Sequence, residues 1–255
     1  MMRGRTQARL METDDGSAYV VKLSSNPLGR RVLVNELIGS ILLAQLGLAT
    51  PERAFVRIDG ECLSDGDPLR SGLHFGSRYP GASGSVAVYD FLPKALVPKV
   101  SNLDHFFGAL MFDQWTSNTD RRQAIFFRQF VSPEGNAAAP RPLVAQMIDN
   151  GSILGEGDWG FPESAGGGYY GIDLSVGDFE PWLDLLADLN PDVLKEIVAE
   201  VPLDWIRSDG QALEGLLVRL YKRRVLVPVM IQQVVASFQA SLRLSPRYEG
   251  SSPTS

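Results

Sequence analysis

A polar turn, Asn118-Thr119-Asp120-Arg121-Arg122-Gln123, carries the most information about the architecture of this chain. Before the turn, apolar residues between 103 and 115 recur at the spacing of one helix face. After it, the apolar and partly aromatic run 124–127 is typical of a strand. The six residues therefore lie in a connection between a helix and a strand, and Asp120 is their only acidic residue.

Three further segments matter when they are taken together with this turn. The run Met147–Gly151 ends the next predicted strand, and its Asp149 follows Asp120 by 29 residues. Far upstream, Tyr19–Leu23 predicts an apolar strand that carries a single lysine, and Glu36 lies on the helix that comes next. In chain order these segments contribute a strand lysine, a helix glutamate, a loop aspartate and a second aspartate after a strand.

Each of these residues also has an ordinary structural explanation. Aspartates such as Asp120 and Asp149 are common in turns rich in asparagine and glycine. Lys22 alone would be interpreted as a strand lysine that faces solvent. Glu36, however, lies beside apolar residues of its helix, and a half-buried carboxylate needs a cation. We therefore predict an ion pair between Lys22 and Glu36, and the order of all four residues carries more weight than any one of them.

The composition is that of an ordinary globular protein. The chain has 255 residues, of which 44% are hydrophobic and 21% are charged, so it can bury a core without disulfides. Its 24 basic and 30 acidic residues give a net charge of −6, which argues against nucleic-acid binding. The chain has one cysteine, and its N-terminus lacks an apolar signal segment. Its most apolar predicted helix, 32–48, contains polar residues. These features predict a cytoplasmic protein without a membrane partner.

Hydrophobic periodicity predicts an α+β fold with two lobes. Strands are predicted over 7–12, 18–23, 54–58, 60–63, 86–91, 125–130 and 143–148, with 64–84 rich in loops. Helices are predicted over 31–48, 103–115, 179–189, 191–201, 211–221 and 225–242. The change of pattern near Pro93 predicts a strand-rich N-lobe (1–93), a mostly helical C-lobe (94–243) and a disordered tail (244–255).

These blocks resemble the HipA-like kinases, a bacterial family related to phosphoinositide kinases and atypical protein kinases. The resemblance spans roughly residues 3 to 243, and its closely matching blocks are Tyr19–Lys22, Asn35–Leu37, Asn118–Arg122 and Ile148–Gly151. It implies a small bilobal protein-kinase-like fold that binds ATP and Mg²⁺. It also implies transfer of the γ-phosphoryl group to a hydroxyl acceptor, in the first place a protein serine or threonine.

The resemblance assigns a role to each site residue. Lys22 would hold ATP phosphates, Glu36 would orient Lys22, and Asp120 would position the acceptor hydroxyl and accept its proton. Asp149 would bind magnesium, because two carboxylates that converge on one cleft repel each other unless a cation lies between them. Near the lobe boundary, the adenine ring would lie against Tyr89-Asp90-Phe91-Leu92, for which a plain buried strand is the equal alternative.

One position departs from the family pattern, which places a metal-binding asparagine five residues after the catalytic aspartate. That position is Ile125 here, and its side chain cannot bind a metal. Gln123 is the nearest amide, and its carbonyl oxygen suits magnesium. Three hypotheses follow: an active protein kinase, a pseudokinase that acts as a nucleotide-binding or regulatory module, and a kinase whose acceptor is a small molecule or a lipid.

Overall fold

The computed structural model describes residues 8–25, 29–63, 69–81, 86–128, 141–164, 172–207 and 209–244. These residues form α-helices and antiparallel sheets, which confirms the predicted α+β class. The predicted tail, apart from the end of the last helix at Leu244, lies outside the described residues. The division into two lobes stays a prediction.

The first sheet has four antiparallel strands in the order β1-β2-β4-β3. The strands are β1 (Arg9–Glu12), β2 (Ala18–Lys22), β3 (Arg53–Ile58) and β4 (Gly72–Arg78). The hairpin of β1 and β2 confirms the prediction from the Asp-Asp-Gly turn, where Gly16 has the positive φ of 75° that this turn requires. Because Lys22 is the last residue of β2, the sheet holds it at a strand end.

The sequence prediction was wrong for the partner of β3. Residues Gly60–Cys62 form one turn of 3₁₀ helix instead of a return strand, and β3 pairs with β4, which was predicted as loop. Gly76 explains the error, because glycine weakens the strand signal. In the fold Gly76 is needed where it is: a Cβ there would lie 2.8 Å from the Val56 side chain.

The second sheet has three antiparallel strands in the order β5-β6-β7. They are β5 (Val88–Tyr89), β6 (Gln123–Arg128) and β7 (Leu143–Ile148). The predicted strand 86–91 is thus only two residues long, because the chain leaves the sheet before Phe91, which is 71% exposed. The pairing of Gln123 with Ile148 places the residue after β7, Asp149, beside the start of β6.

The helices are α1 (Arg31–Gln45), α2 (His105–Thr116), α3 (Glu180–Ala187), α4 (Val193–Glu200), α5 (Leu203–Ile206), α6 (Gly210–Arg223) and α7 (Val227–Leu244). All six predicted helices are present, and the single turn α5 was not predicted. Twelve of the fifteen residues of α1 are buried, so this helix contacts protein on most of its circumference. Its apolar residues share one continuous core with α2, α4, α6 and α7.

Among the residues that the structure describes, one helical run, Gly210–Arg243, is long and apolar enough by length and composition to cross a membrane, and 17% of its most apolar window is buried. A helix that packs on a protein core through one stripe passes the same test. In α7 that stripe consists of Val227, Ile231 and Val235, which are buried at four-residue intervals. Length and composition alone therefore do not assign this run to a membrane.

Candidate functional site

Three of the predicted residues meet in one charged cluster. The Lys22 ammonium contacts the Glu36 carboxylate and lies 2.6 Å from Oδ1 of Asp149. The side chains of Lys22 and Glu36 are 9% and 2% exposed, whereas that of Asp149 is 26% exposed. The structure thus contains the predicted Lys22–Glu36 ion pair. The additional contact with Asp149 was not foreseen, because it joins residues 127 positions apart.

The cluster carries two carboxylates and one ammonium group, and burial acts on all three. Burial opposes the charge on Lys22, but the carboxylates of Glu36 and Asp149 outweigh it and raise the pKa of Lys22. Burial also raises the pKa of Glu36, although Lys22 lies beside it. Burial acts against ionised Asp149 as well, but Lys22 lowers its pKa below the usual value. The partly exposed Asp149 is therefore the anionic group through which this cluster meets solvent.

Asp149 is held in an uncommon backbone conformation. Its φ is 64°, in the left-handed region that aspartate tolerates better than most residues. The next residue, Asn150, donates its backbone N–H to Oε2 of Glu36 at 3.1 Å. Glu36 thus accepts hydrogen bonds from both Lys22 and the segment after β7. The Glu36 carboxylate therefore links helix α1 to the segment 149–151, the Asp149 turn.

Gln123 lies directly beside Asp149. Its Nε2 donates to Oδ2 of Asp149 at 2.9 Å, on the side of the carboxylate away from Lys22. Ile125 lies two residues farther along β6, where it pairs with Gln146. Of Gln123 and Ile125, it is therefore Gln123 that the fold brings next to Asp149. Rotation of the amide by half a turn would exchange its nitrogen for its oxygen.

Asp120 is exposed and is held by its own turn. Its backbone N–H donates to Oδ1 of Asn118 at 3.2 Å, and its Oδ1 accepts the N–H of Arg121 at 2.7 Å. Thr119 donates its backbone N–H and its hydroxyl to the carbonyl of Ser152, at 3.0 and 3.1 Å. The Asp120 turn therefore packs against the segment that follows Asp149. Within the described residues, no direct contact joins the Asp120 carboxylate to the Lys22 cluster.

The segment predicted to contact adenine has two kinds of residue. Tyr89 and Phe91 are 52% and 71% exposed, and Asp90 is also exposed, so these side chains are accessible to a ligand. Leu92 is buried in the main core, which leaves only its backbone for such a contact. The assignment of these four residues to nucleotide binding stays a prediction.

Sequence reasoning missed the buried polar residues that hold the site together. Asn35 of α1 donates to the carbonyls of Gly151, Ile153 and Glu156 at 2.7–3.1 Å, and accepts a hydrogen bond from the Trp159 indole at 3.0 Å. A second set is Asp113, Arg122 and Asn150, which are 5% exposed or less. The available signal was a polar residue inside an apolar helix, since such a group needs partners when it is buried.

Two glycines allow α1 to lie against the Asp149 turn. A Cβ on Gly39 would lie 2.4 Å from Cβ of Asn150, and one on Gly151 would lie 2.9 Å from Val32 and 3.0 Å from Glu36. These distances are far below van der Waals contact. The close approach explains why a glycine follows Asn150 and why α1 contains a glycine near its middle.

We expect Gly39→Ala to lower stability by about 1–3 kcal/mol, because the added methyl group overpacks a site that cannot relax. Asn150 cannot move away without losing its hydrogen bonds to Glu36 and Arg122. Gly215→Ala is the matched control, since Gly215 lies inside α6 with no atom near its Cβ position. That control should gain about 0.5–1 kcal/mol from helix propensity. Urea unfolding of both variants measures the difference, and equal effects would contradict the close contact.

A cavity of about 450 Å³ lies elsewhere, between α1, β3 and the end of α4. Its lining includes Leu37, Ser40, Phe55 and Glu200, and none of the residues predicted for catalysis. The shape of this cavity therefore does not mark the nucleotide site, and the chemistry of the side chains is the better guide.

The donor atoms near Asp149 fit magnesium better than a softer metal. Within the described residues, no group of three or more histidine, cysteine, aspartate or glutamate side chains could enclose a metal ion. Asp149 and Gln123 offer one carboxylate and one amide at a partly exposed position. Magnesium is usually bound in this way, by one or two protein oxygens together with water and substrate phosphates.

The N-terminal part of the chain is similar to one known protein family. No curated protein matches the chain. The sequence model of the HipA-like kinase family matches residues 1–126, a span that includes Lys22, Glu36, Asp120 and Gln123 and ends within β6, before Asp149. The match covers residues 1–126, close to half of the chain, and supports its assignment to the HipA-like kinase family.

Proposed function

We propose that this protein is an ATP-dependent kinase that transfers the γ-phosphoryl group to a hydroxyl acceptor, in the first place a protein serine or threonine. The observation that carries the proposal is the contact of Lys22 with both Glu36 and Asp149. An ammonium group held by a helix carboxylate, next to a partly exposed aspartate, is the arrangement that phosphoryl transfer requires. The match to a family of kinases supports the same chemistry.

Lys22 would hold a phosphate oxygen of ATP. Its raised pKa keeps the ammonium charged at neutral pH, and Glu36 fixes its position from the buried side. When phosphate is bound, Lys22 would exchange part of its contact with Asp149 for the phosphate. Asp149 and Gln123 would hold the metal ion, which would supply positive charge to the phosphates when it is bound with ATP.

Asp120 would position the acceptor hydroxyl and accept its proton. Its carboxylate is exposed, as a group that contacts an exchanging substrate must be. Its backbone is fixed through Asn118, and the neighbouring Thr119 is fixed to Ser152. Catalysis of this kind depends on positioning and electrostatics, so rigidity of the turn is the relevant property.

A pseudokinase is the second candidate, and one observation favours it. Gln123 presents its amide nitrogen to Asp149, and Ile125 replaces the expected asparagine, so the second metal contact depends on a rotation of the Gln123 side chain. Such a protein would bind nucleotide without transferring phosphate. A small-molecule or lipid acceptor is the third candidate, and it leaves the site chemistry unchanged.

The test is a melting experiment with ATP in the presence and absence of Mg²⁺, followed by a measurement of phosphate transfer from γ-labelled ATP. We expect the melting temperature to rise with ATP only when Mg²⁺ is present, and labelled protein, lipid or small-molecule product to accumulate. A rise without any product on long incubation would favour the pseudokinase. No rise with ATP under either condition would contradict nucleotide binding and with it the proposed function.

A further inference from the structure

A buried ion pair links α2 to the turn that carries Asp120. Asp113 and Arg122 have side chains that are 5% and 2% exposed, and they are in direct contact. Nε of Arg122 lies 3.1 and 3.2 Å from the two oxygens of Asp113. The pair is thus fully withdrawn from water, in contrast to the exposed Asp120 two residues earlier.

The remaining side of the Arg122 guanidinium holds the Asp149 turn. Nη1 donates to the carbonyls of Ile148 and Asp149, at 3.1 and 3.4 Å, and to Oδ1 of Asn150 at 2.7 Å. These acceptors lie on both sides of the Asp149 Cα, where the backbone has its positive φ. Arg122 therefore constrains the peptide groups that set the direction of the Asp149 side chain.

Asp113 also holds the Asp120 turn, through two hydrogen bonds that it accepts from Asn118. Its Oδ1 accepts a hydrogen bond from Nδ2 of Asn118 at 2.9 Å, and its backbone carbonyl accepts the N–H of Asn118 at the same distance. Oδ1 of Asn118 in turn accepts the N–H of Asp120. Hydrogen bonds therefore run without interruption from Asp120 through Asn118, Asp113 and Arg122 to Asp149.

We propose that the Asp113–Arg122 pair is the positioning element of this site, which holds the backbone of Asp149 in a fixed relation to that of Asp120. The inference rests on the proposed function. A buried ion pair is a weak source of stability, because desolvation offsets its attraction. A planar guanidinium, however, holds a carboxylate and several carbonyls at once in fixed directions, which a lysine ammonium cannot do.

Arg122→Lys is the informative change, because lysine keeps the positive charge beside Asp113 but lacks the planar guanidinium group. We expect the Mg²⁺ concentration for half-maximal stabilisation by ATP to rise about 10–100-fold, the usual cost of removing an outer partner of a metal ligand. We also expect amide hydrogen exchange in residues 148–156 of the ligand-free protein to quicken about tenfold or more, as for the loss of a hydrogen bond to a charged donor.

Arg128→Lys is the matched control. Arg128 ends β6, the strand that begins directly after Arg122; it is exposed, and it also donates to a carbonyl, that of Arg141. The Arg128→Lys variant should leave both the Mg²⁺ dependence and the amide hydrogen exchange of residues 148–156 at their wild-type values. Asp113→Asn is the second variant, and it serves if Arg122→Lys does not fold. Loss of a cooperative unfolding transition in both variants would overturn positioning in favour of a purely structural role.

The outcomes separate the inference from the proposed function. If the wild type shows no Mg²⁺-dependent stabilisation by ATP, the proposed function is wrong and the inference falls with it. If the wild type shows Mg²⁺-dependent stabilisation by ATP and Asp149→Asn removes it, the assignment of Asp149 to this site is supported. Suppose that folded Arg122→Lys then keeps the Mg²⁺ dependence and the amide hydrogen exchange of the wild type. That result would overturn the positioning role alone, whereas the predicted changes in both would support it.

Discussion

Asp149→Asn is expected to remove the magnesium-dependent stabilisation by ATP and to lower phosphoryl transfer by about 100-fold or more, the loss that follows removal of one electrostatic contact to a transition state. The change replaces the partly exposed carboxylate of the cluster by an amide of the same shape. Lys22 keeps its contact with Glu36, and the backbone of residue 149 keeps its contact with Arg122. Ligand-free protein should therefore unfold cooperatively, as the wild type does.

Asp188→Asn is the control for this experiment. Asp188 is exposed and follows α3, far from the cluster in sequence, and the same chemical change there should alter neither melting nor transfer. The measurements are melting temperature with ATP and Mg²⁺ and transfer from γ-labelled ATP. Unchanged transfer by Asp149→Asn would contradict the assignment of Asp149. Lost transfer with retained Mg²⁺-dependent stabilisation would assign Asp149 to a step after metal binding.

Lys22→Met is expected to lower stability by about 3–5 kcal/mol at neutral pH, because it leaves Glu36 buried without its cation. Glu36 is 2% exposed, so water cannot replace the ammonium group. In a domain of this size, such a loss corresponds to a fall in melting temperature of about 10 °C. Lys195→Met is the control, since the Lys195 side chain is 84% exposed, and it should change stability by no more than about 0.5 kcal/mol.

The pH dependence of Lys22→Met distinguishes buried charge from lost packing. Burial already raises the pKa of Glu36 in the wild type, and removal of Lys22 takes away the main opposing charge. Folded Glu36 then binds a proton at a pH where unfolded glutamate, with a pKa of about 4.3, does not. Because the folded state binds more protons in this range, stability of the variant should rise as the pH falls from 7 toward 4.3.

A double variant completes this test. Lys22→Met with Glu36→Gln has no buried charge from this pair, so it should recover much of the stability at pH 7 and lose the rise at lower pH. Urea unfolding at pH 7 and pH 5 measures both effects. A single variant whose stability is the same at the two pH values would show that Glu36 is not held in a desolvated environment.

Elements that depend on short-range patterns were predictable. The first hairpin follows from alternation around an Asp-Gly turn, and α1, α2 and the later helices follow from apolar spacing, because both patterns express which face is buried. Strand β7 and the Lys22–Glu36 pair were predictable for related reasons: an apolar run, and a carboxylate on an apolar helix face that requires a cation.

Elements that depend on distant partners were not predictable. Strand β4 was missed because its glycines suit a loop, and only its position between β2 and β3 requires them. Likewise, Asp113 and Arg122 give no local signal of the turn that they hold, since Arg122 reaches acceptors 26 to 28 residues away. Their roles follow from hydrogen bonds that form when α2, β6 and β7 are packed together.

The sequence by itself determined the α+β class, the helices and the chemical types of the site residues, because periodicity and residue type are local properties. Only the tertiary structure decided that Asp149 shares Lys22 with Glu36, that Gln123 lies beside Asp149, and that a buried ion pair joins the two aspartate turns. The physical reason is that hydrogen bonds and ion pairs act over about 3 Å. Residues that are distant in the chain make them only once the core has brought their backbones together.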